Sequence, residues 1–313
     1  MTDDTSVGAT EVTELVARLR QGDVRALARA VSLVENDAPS ARQILSRCFP
    51  YTGSAMRIGI TGSPGAGKST LVDGLARRYR AQQTTVGVVA VDPTSPFTGG
   101  AILGDRIRMQ RHHADPGVFI RSMATRGWLG GLAAATTEMT MLLDAAGFDV
   151  VLVETVGVGQ DEVEIARLAD VTLVVMVPGM GDDVQAIKAG IMEIADVFVI
   201  NKADQPGAEK LERELKSYLT LSHRPDGWSP TIVKTVASDG QGITELLDAA
   251  REYHARGSSR TRAAEIWAGR LREMLRERLL ERIPPDEFAA GGREVAEHRR
   301  DPYSILHDWL ERI

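Results

Sequence analysis

The residues best suited to chemistry form one short run between positions 62 and 70, which reads G-S-P-G-A-G-K-S-T. Its spacing fits the pattern G-x-x-x-x-G-K-[S/T], in which backbone N–H groups of a glycine-rich loop converge on phosphate oxygens. In this pattern Lys68 would contact the β- and γ-phosphates, and the hydroxyl of Ser69 would bind Mg²⁺. The spacing therefore predicts a binding site for a nucleoside triphosphate. The residues expected to contact it are Gly62, Ser63, Pro64, Gly65, Ala66, Gly67, Lys68, Ser69 and Thr70.

The alternative interpretation of this run is a glycine-rich turn beside an ordinary lysine. The flanking sequence favours the phosphate loop, because an apolar, strand-like run precedes it at 58–60 and a helix-like run follows it at 71–76. The N-terminus of such a helix would add positive partial charge next to the phosphates.

A second motif predicts which base is bound. Asn201, Lys202, Ala203 and Asp204 form an N-K-x-D sequence at the end of a predicted strand. The carboxylate of Asp204 can accept two hydrogen bonds from guanine. Adenine presents an acceptor there instead and would leave the carboxylate unpaired, at a cost of about 1–3 kcal/mol. Asn201 would support the loop and the base edge, and the stem of Lys202 would cover the base face, so we expect GTP rather than ATP.

A third segment adds to the predicted base site. It begins one alanine after a predicted strand at 231–236 and consists of Ser238, Asp239 and Gly240. The segment resembles the loop of GTP-binding proteins in which a backbone N–H meets O6 of guanine. We therefore include these three residues in the predicted guanine site.

Three acidic residues, Asp92, Asp105 and Glu154, are candidates for contacts to Mg²⁺ or to its water shell. Asp92 directly follows a predicted strand and Glu154 ends another, and we expect the strand of Asp92 to lie beside the strand of the phosphate loop. GTPases carry D-x-x-G where this chain carries E-x-x-G, and Gly157 can still offer its N–H to the γ-phosphate. Each acid could instead be a helix cap or a solvated loop residue, as Asp105 would be before a helix at 106–113. The predicted catalytic residues are Lys68, Asp92, Asp105, Glu154 and Gly157.

The sequence predicts slow intrinsic hydrolysis. In many GTPases a glutamine positions the attacking water. Here no glutamine follows Gly157 directly, and Gln160 comes three residues later. We therefore expect hydrolysis to need a partner or the closure of a loop.

A glycine-flanked segment at 178–188 has the composition of a switch loop that rearranges with the bound nucleotide. Its polar candidates are Asp182, Gln185 and Lys188. An ordinary strand-to-helix turn is an equally good interpretation of the same residues.

These motifs require a scaffold that brings strand ends together, and the pattern between residues 56 and 256 provides one. Seven apolar runs alternate with helical segments, and several are unbroken Val/Ile runs, typical of parallel strands buried on both faces. We therefore predict a doubly wound, mostly parallel α/β sheet of the P-loop NTPase class, with ligands at the carboxyl ends of its strands. The predicted strands are 56–61, 86–91, 118–121, 150–154, 171–177, 197–201 and 231–236, and the predicted helices include 68–82, 131–146, 208–221 and 243–255.

Helical extensions are predicted on both sides of this GTPase domain. Residues 1–55 carry apolar residues at helical spacing, with Asp23 as a helix cap. Residues 257–313 carry an apolar stripe on a long helix that ends at 284–285, and a last helix follows Asp301. This C-terminal arm either packs on its own domain or forms a dimer interface, and we predict dimerisation.

The composition restricts the remaining function classes. The chain has 37 Lys+Arg and 43 Asp+Glu, for a net charge of −6, whereas binding to nucleic acid needs a clustered basic face. Cys48 is the only cysteine, which excludes an intrachain disulfide and a multi-cysteine metal site, and we expect it to be buried or half-buried. The first residues lack the features of a secretory signal, and no apolar run is long enough to span a bilayer. We therefore expect a cytoplasmic protein with no nucleic-acid or membrane partner.

Three further segments are more distinctive than the phosphate loop, and they closely resemble the MeaB/ArgK family in the metallochaperone branch of the P-loop GTPases. They are 92–106 (DPTSPFTGGAILGDR), 126–132 (RGWLGGL) and 154–160 (ETVGVGQ). The resemblance covers almost the whole chain, both helical arms included, and Glu154 in place of aspartate is the family's own pattern. It implies that 178–188 is an additional mobile switch loop in a Mg²⁺-dependent protein that binds GTP and GDP.

The same resemblance implies a homodimeric chaperone with a particular partner. That partner would be an adenosylcobalamin-dependent acyl-CoA mutase, most often methylmalonyl-CoA mutase. The chaperone gates loading of the cofactor by the adenosyltransferase and protects the mutase from inactivation. We expect this chain to bind no cobalamin itself. Neither composition nor spacing identifies the partner.

Three alternative functions stay open from the residues alone. A P-loop kinase acting on a transport protein would need an arginine-rich lid; Arg106, Arg108 and Arg111 could supply it or could form a solvated helix face. The N-K-x-D loop argues against the kinase. A nickel-insertion GTPase would need a histidine- or cysteine-rich site, whereas the six histidines are scattered apart from His112 and His113. A nucleotide-dependent binding module would show negligible turnover in isolation.

Overall fold

The structure, a computed structural model, describes residues 8–92, 112, 114–124, 131–155, 165, 168–179, 189–221, 224, 226–256 and 259–312. Within these ranges, the side chains at 92, 124, 131–134, 189–191, 259–263, 265–266 and 277 lie outside the description. The chain forms two compact units, Met1–Ala263 and Ala264–Ile313. The predicted domain boundaries at 55 and 256 stay predictions. None of the described helices combines the length and the apolar character needed to cross a bilayer.

Three helices precede the sheet in the described part of the chain. They are α1 (Ala9–Arg20), α2 (Val24–Glu35) and α3 (Ala41–Cys48), and a short 3₁₀ turn follows them (Phe49–Tyr51). Asp23 caps α2 as predicted, because its Oδ1 accepts hydrogen bonds from the backbone N–H groups of Arg25 at 2.9 Å and Ala26 at 3.1 Å. Cys48 is fully buried as expected, and this burial raises the pKa of its thiol to about 11.

Among the residues that the structure describes in the first unit, seven parallel strands form one sheet. Every residue of the fourth, fifth and sixth strands is buried, which accounts for their unbroken apolar sequences. All seven predicted strands and the doubly wound α/β class are confirmed. The strands are β1 (Met56–Gly62), β2 (Val86–Asp92), β3 (Val118–Ala124), β4 (Val150–Glu154), β5 (Val171–Met176), β6 (Val197–Asn201) and β7 (Thr231–Thr235), in the order β3-β2-β4-β1-β5-β6-β7.

The predicted position of β2 beside the strand of the phosphate loop is wrong. β1 pairs with β4 and β5, so β4 separates β1 from β2. The physical reason is that the helical crossover from β1 to β2 skips one place in the sheet, and β4 fills that place. Ile60 of β1 is in register with Glu154 of β4. The strand end next to the phosphate loop therefore carries Glu154, whereas Asp92 ends a strand one place further away.

Helices cover both faces of the sheet. They are α4 (Lys68–Ala81), α5 (Gly131–Ala145), α6 (Ala189–Ile194), α7 (Ala208–Leu221) and α8 (Ile243–Ala255). Successive side chains of β4 point to opposite faces of the sheet and so enter two different helical layers. Val150 and Leu152 pack in the core beneath α4 and α8, whereas Val151 and Val153 pack with α1–α3 and α5. The short helix α6 was not predicted, because six residues are too few for a helical period to be recognised.

The second unit is helical. The helices at this end of the chain are α9 (Ser259–Glu281), α10 (Pro285–Ala296) and α11 (Pro302–Arg312). Asp301 caps α11 as predicted, accepting from the N–H groups of Tyr303 at 2.9 Å and Ser304 at 3.0 Å. Phe288 of α10 and Trp309 of α11 meet edge to face with ring centroids 4.9 Å apart. The helix α10 was not predicted, because the adjacent prolines were interpreted only as the end of α9.

Candidate nucleotide-binding site

The phosphate loop connects β1 to α4 through residues 62–67. Gly62 has a φ of +140°, and a Cβ at this position would lie 2.1 Å from the carbonyl oxygen of Val175 on β5. Gly67 has a φ of +87°, and a Cβ there would lie 2.5 Å from Nδ2 of Asn201. Both positions require glycine, because any side chain would push the loop away from the neighbouring strands.

Lys68 is the first residue of α4 and is only 6% exposed. Its ammonium donates hydrogen bonds to the carbonyl oxygens of Gly62 at 2.7 Å and Ser63 at 3.1 Å. A buried charge needs such partners, because its desolvation is otherwise costly. The ammonium is therefore held against the loop backbone, beside the helix N-terminus whose N–H groups favour phosphate.

Ser69 and Glu154 contact each other although they are far apart in sequence. The Ser69 hydroxyl donates to Oε1 of Glu154 at 2.7 Å, and Glu154 is only 5% exposed. Hydroxyl and carboxylate oxygens suit Mg²⁺, and at a nucleotide one or two protein ligands suffice because phosphates and water complete the shell. Among the described residues, no cluster of three or more His, Cys, Asp or Glu side chains is arranged to hold a metal. The Ser69–Glu154 pair fits Mg²⁺ bound together with a phosphate.

Asn201 joins the phosphate loop to the predicted base loop. Its Nδ2 donates to the carbonyl oxygen of Ala66 at 2.8 Å. Its Oδ1 accepts from the hydroxyl of Thr235 at 3.0 Å and from the backbone N–H of Ala237 at 3.2 Å. The side chain is 2% exposed, so these bonds satisfy both ends of a buried amide. The two loops that are predicted to bind different parts of a nucleotide are thus both bonded to one residue at the end of β6.

The remaining residues of the N-K-x-D motif lie at the surface of this arrangement. Lys202 has a φ of +54°, and its Nζ donates to the carbonyl oxygen of Gly65 at 2.9 Å. The N–H of Ala203 donates to the carbonyl oxygen of Thr235 at 3.0 Å, which brings the 201–204 loop next to the end of β7. Asp204 is exposed. The exposed residues Ser238, Asp239 and Gly240 follow β7 in the same region of the sheet.

The structure therefore brings together the predicted residues of the phosphate loop, Glu154 and the two predicted base loops. The other predicted site residues cannot be placed, because they or their side chains lie outside the described residues. They are Asp92 (side chain), Asp105, Gly157, Asp182, Gln185 and Lys188. Apart from residue 112, the helix predicted at 106–113 also lies outside the described residues.

Sequence reasoning missed three threonines that contact the site. The hydroxyl of Thr235 donates to Asn201, and the hydroxyl of Thr155 donates to that of Thr61 at 3.1 Å. All three threonines are at most 2% exposed. A threonine at or directly after the carboxyl end of a predicted strand was the available signal, since a buried hydroxyl needs a specific partner.

This fold and site define the class of the protein. A parallel sheet with a glycine-rich loop between β1 and α4, followed by a buried lysine and a serine, is the arrangement of a P-loop nucleotide-binding protein. An N-K-x-D motif at the end of β6 contacts that loop, as expected for the GTPases of this class.

The chain belongs to the family described as methylmalonyl Co-A mutase-associated GTPase MeaB, which matches residues 27–287. The predicted resemblance to the MeaB/ArgK GTPases is thereby confirmed, and the protein is a GTPase of this family.

Three similar proteins illustrate the relationship. A putative GTPase of Pyrococcus abyssi is 52% identical over 96% of this chain and 97% of its own length. The GTPase ArgK of Escherichia coli is 38% identical over 88% of this chain and 86% of its own length. The crystal structure of a LAO/AO transport system kinase superimposes with a TM-score of 0.75 at 31% identity, covering 98% of both chains.

Proposed function

We propose that this GTPase uses a cycle of GTP binding and hydrolysis to gate adenosylcobalamin loading into an acyl-CoA mutase in the cytoplasm and to protect that mutase. Methylmalonyl-CoA mutase is the proposed partner, with its adenosyltransferase as the donor of the cofactor. The observation that carries the nucleotide part is the buried amide of Asn201, which contacts both the phosphate loop and the predicted base loop. The description of the family, which names an association with this mutase, supports the partner.

Guanine selection is assigned to the loop that begins at Asn201. Because Asn201 and Lys202 both bond to carbonyl oxygens of the phosphate loop, the position of Asp204 is tied to the position of the triphosphate. A carboxylate held there would accept from N1–H and the exocyclic amine of guanine. Calorimetry with Mg²⁺ tests this: we expect heat for GTP and GDP and much weaker binding of ATP. Equal affinity for GTP and ATP would contradict the assignment.

The chain's own groups have distinct proposed roles in hydrolysis. Lys68 would neutralise charge on the β- and γ-phosphates, and backbone N–H groups of the loop would orient them. Ser69 and Glu154 would hold Mg²⁺, which when bound offsets the negative charge that develops on the phosphate oxygens. Because no glutamine directly follows Gly157 in the sequence, we keep the prediction of slow intrinsic hydrolysis. Single-turnover rates with and without the mutase would test it.

The partner can be tested without assuming its identity. The untagged chain would be isolated from cells with its bound proteins, in GDP and in a non-hydrolysable GTP analogue. We expect an adenosylcobalamin-dependent mutase to be enriched, and its enrichment to differ between the two nucleotides. The Lys68→Ala variant is the control, because it should lose the nucleotide dependence. Absence of any cobalamin-dependent enzyme in both samples would contradict the proposed partner.

We also propose that the C-terminal arm, 257–313, forms a homodimer. Several apolar side chains of α9 and α11 are exposed, which favours burial against a second copy. They include Leu271 at 61%, Leu275 at 60%, Leu310 at 58%, Leu306 at 50% and Met274 at 43%.

Light scattering of the full chain tests the dimer. We expect twice the chain mass for the wild type and the single mass for Leu271→Glu. The matched control is Leu221→Glu at the end of α7, because Leu221 is exposed to 84% and lies in the first unit. A monomeric wild type, or dissociation by the control alone, would contradict this role of the arm.

A second candidate function is phosphotransfer, because a structure similar to this chain bears the name of a transport-system kinase. The N-K-x-D loop favours the GTPase. A phosphotransfer assay with labelled GTP and ATP distinguishes the two: label released as inorganic phosphate supports the GTPase, and label transferred to a protein acceptor supports the kinase.

A further inference from the structure

Two buried threonine hydroxyls join the strand ends that carry the phosphate loop and Glu154. Thr155 Oγ1 donates to Thr61 Oγ1 at 3.1 Å, and the two residues are 2% and 0% exposed. The backbone N–H of Thr155 also donates to the carbonyl oxygen of Ile60 at 3.1 Å. The pairing of β1 with β4 therefore continues one residue beyond Glu154, first through the backbone and then through the side chains.

Each of these threonines adjoins a group of the site. Thr61 directly precedes Gly62, where the phosphate loop begins, and Thr155 directly follows Glu154, which accepts the hydrogen bond of Ser69. We infer that Thr61 and Thr155 are positioning residues that hold the Glu154 carboxylate opposite the Ser69 hydroxyl for Mg²⁺ binding. This inference rests on the proposed metal role of Glu154.

The directional hydrogen bond between Thr61 and Thr155 explains the presence of threonine at both positions better than a gain in stability does. Valine has nearly the same shape as threonine and is compatible with the buried apolar residues of β1 and β4. A hydrogen bond between neutral groups adds little net stability, because both hydroxyls bond to water in the unfolded chain. A hydrogen bond is directional, however, and a β-branched side chain has few rotamers. The directional bond and the restricted rotamers together fix the backbone on the carboxyl side of Glu154. A contact between two apolar side chains would not fix it in this way.

The Mg²⁺ dependence of GTP hydrolysis by the full chain tests the inference. We expect Thr155→Val to raise the half-saturating Mg²⁺ concentration roughly tenfold, as substitutions behind metal ligands commonly do. Thr61→Val should act in the same direction. GTP affinity at saturating Mg²⁺ should change little in both variants. The thermal midpoint should fall in both by a similar amount, because each variant leaves the other buried hydroxyl without this hydrogen bond. Thr155→Ser keeps the hydroxyl and should restore the wild-type Mg²⁺ dependence.

Two further variants separate the possible failures. Thr140→Val is the matched control, because Thr140 is a 2% exposed threonine on α5 whose hydroxyl donates to a backbone carbonyl away from the site. Glu154→Gln tests the metal role itself. If Glu154→Gln shifts the Mg²⁺ dependence and Thr155→Val does not, the positioning role is wrong and the metal role stands. If Glu154→Gln has no effect, both are wrong.

The inference is also overturned if Thr140→Val shifts the Mg²⁺ dependence as much as Thr155→Val, or if Thr155→Ser behaves like Thr155→Val. The first result would assign the shift to general destabilisation, and the second would assign it to side-chain shape rather than to the hydroxyl.

Discussion

Two sets of polar side chains in the first unit differ in what they contact. At the carboxyl ends of the strands, Lys68 and Asn201 are 6% and 2% exposed, and both donate to carbonyl oxygens of the phosphate loop. On the surface of α7 and β7, Glu212 pairs with Lys216 at 2.7 Å and with Lys234 at 2.8 Å. The two lysine side chains of that surface set are 64% and 42% exposed.

The difference shows what each set can do. A buried polar group is costly unless it is bonded, so the buried set constrains the backbone that supplies its partners. That backbone is the phosphate loop, and the consequence should appear in nucleotide binding and hydrolysis. Exposed ion pairs exchange contacts with water and contribute little to stability. We therefore expect large functional effects from the first set and small effects on stability alone from the second.

The largest effect should come from Lys68→Ala. Removing the ammonium deprives the developing charge on the phosphates of a fixed positive group, and loss of one such group costs about 10²–10³-fold in rate. Single-turnover hydrolysis of GTP measures the loss, with circular dichroism to verify that the variant is folded.

Lys216→Ala is the control for this prediction, because it also replaces a lysine by alanine but in the surface set. Its hydrolysis rate should equal that of the wild type. A comparable loss in Lys216→Ala, or full activity in Lys68→Ala, would remove the functional distinction between the two sets.

Asp204→Asn tests whether burial of a side chain or its location at the predicted site decides how strongly a substitution affects nucleotide binding. Asp204 is exposed and yet belongs to the predicted base site. The amide cannot accept both guanine hydrogen bonds, so we expect GTP affinity to fall about tenfold to a hundredfold, as an unpaired polar group predicts. Xanthosine triphosphate should bind better, because its 2-oxo group can accept from the new amide. A competition titration with both nucleotides measures the change, and an unchanged preference for GTP would contradict the guanine assignment.

Asn201→Ala should affect both stability and affinity. It leaves the carbonyl of Ala66 and the N–H of Ala237 without their buried partner, and each such group costs about 1–3 kcal/mol. Thr235→Val is the matched variant, because it removes only the hydroxyl that donates to Asn201. Urea unfolding and calorimetry should rank Asn201→Ala as the more severe in both measurements. Equal effects would mean that Asn201 acts through β7 rather than through the phosphate loop.

Local patterns predicted the elements better than their arrangement. The strands were predictable because residues buried on both faces, such as those of β5, form unbroken apolar runs. The placement of β4 between β1 and β2 was not predictable, since no local pattern encodes which place a crossover skips. For α10, Pro285 is compatible with the first turn of a helix, but the same residue type also ends helices, so the pattern was ambiguous.

For the site, residue types and spacing predicted which residues to consider but not which atoms meet. The N-K-x-D motif identified Asn201, whereas its bond to Ala66 joins residues 135 positions apart and depends on the order of the strands. Thr155 was missed because its role depends on Thr61, 94 positions away on a strand that proved to be its neighbour. Contacts of this kind follow from the sheet order, which is the part of the fold that the sequence pattern left open.

The smallest predicted effect belongs to the surface set and depends on pH. Hydrogen bonds lower the pKa of Glu212 from 4.5 to about 2. The bond from Lys216 has the largest effect, and the bond from Lys234 has the next largest. Because the pKa is lower in the folded state, the pairs contribute stability above about pH 4.5, and this contribution is lost as the pH falls toward about 2. Solvent screens the exposed lysines, so Glu212→Gln should lower the free energy of unfolding at neutral pH by less than about 1 kcal/mol.

Urea unfolding of the wild type and Glu212→Gln at neutral pH and near pH 3 measures this effect. The difference between the two proteins should shrink at the lower pH. Glu214→Gln on the same helix is the control and should differ less from the wild type, because the ion pair of Glu214 with Lys210 is longer, at 3.8 Å. A difference for Glu212→Gln that exceeds the effect of Asn201→Ala would reverse the comparison, since exposed ion pairs would then stabilise the fold more than the buried contacts of the phosphate loop.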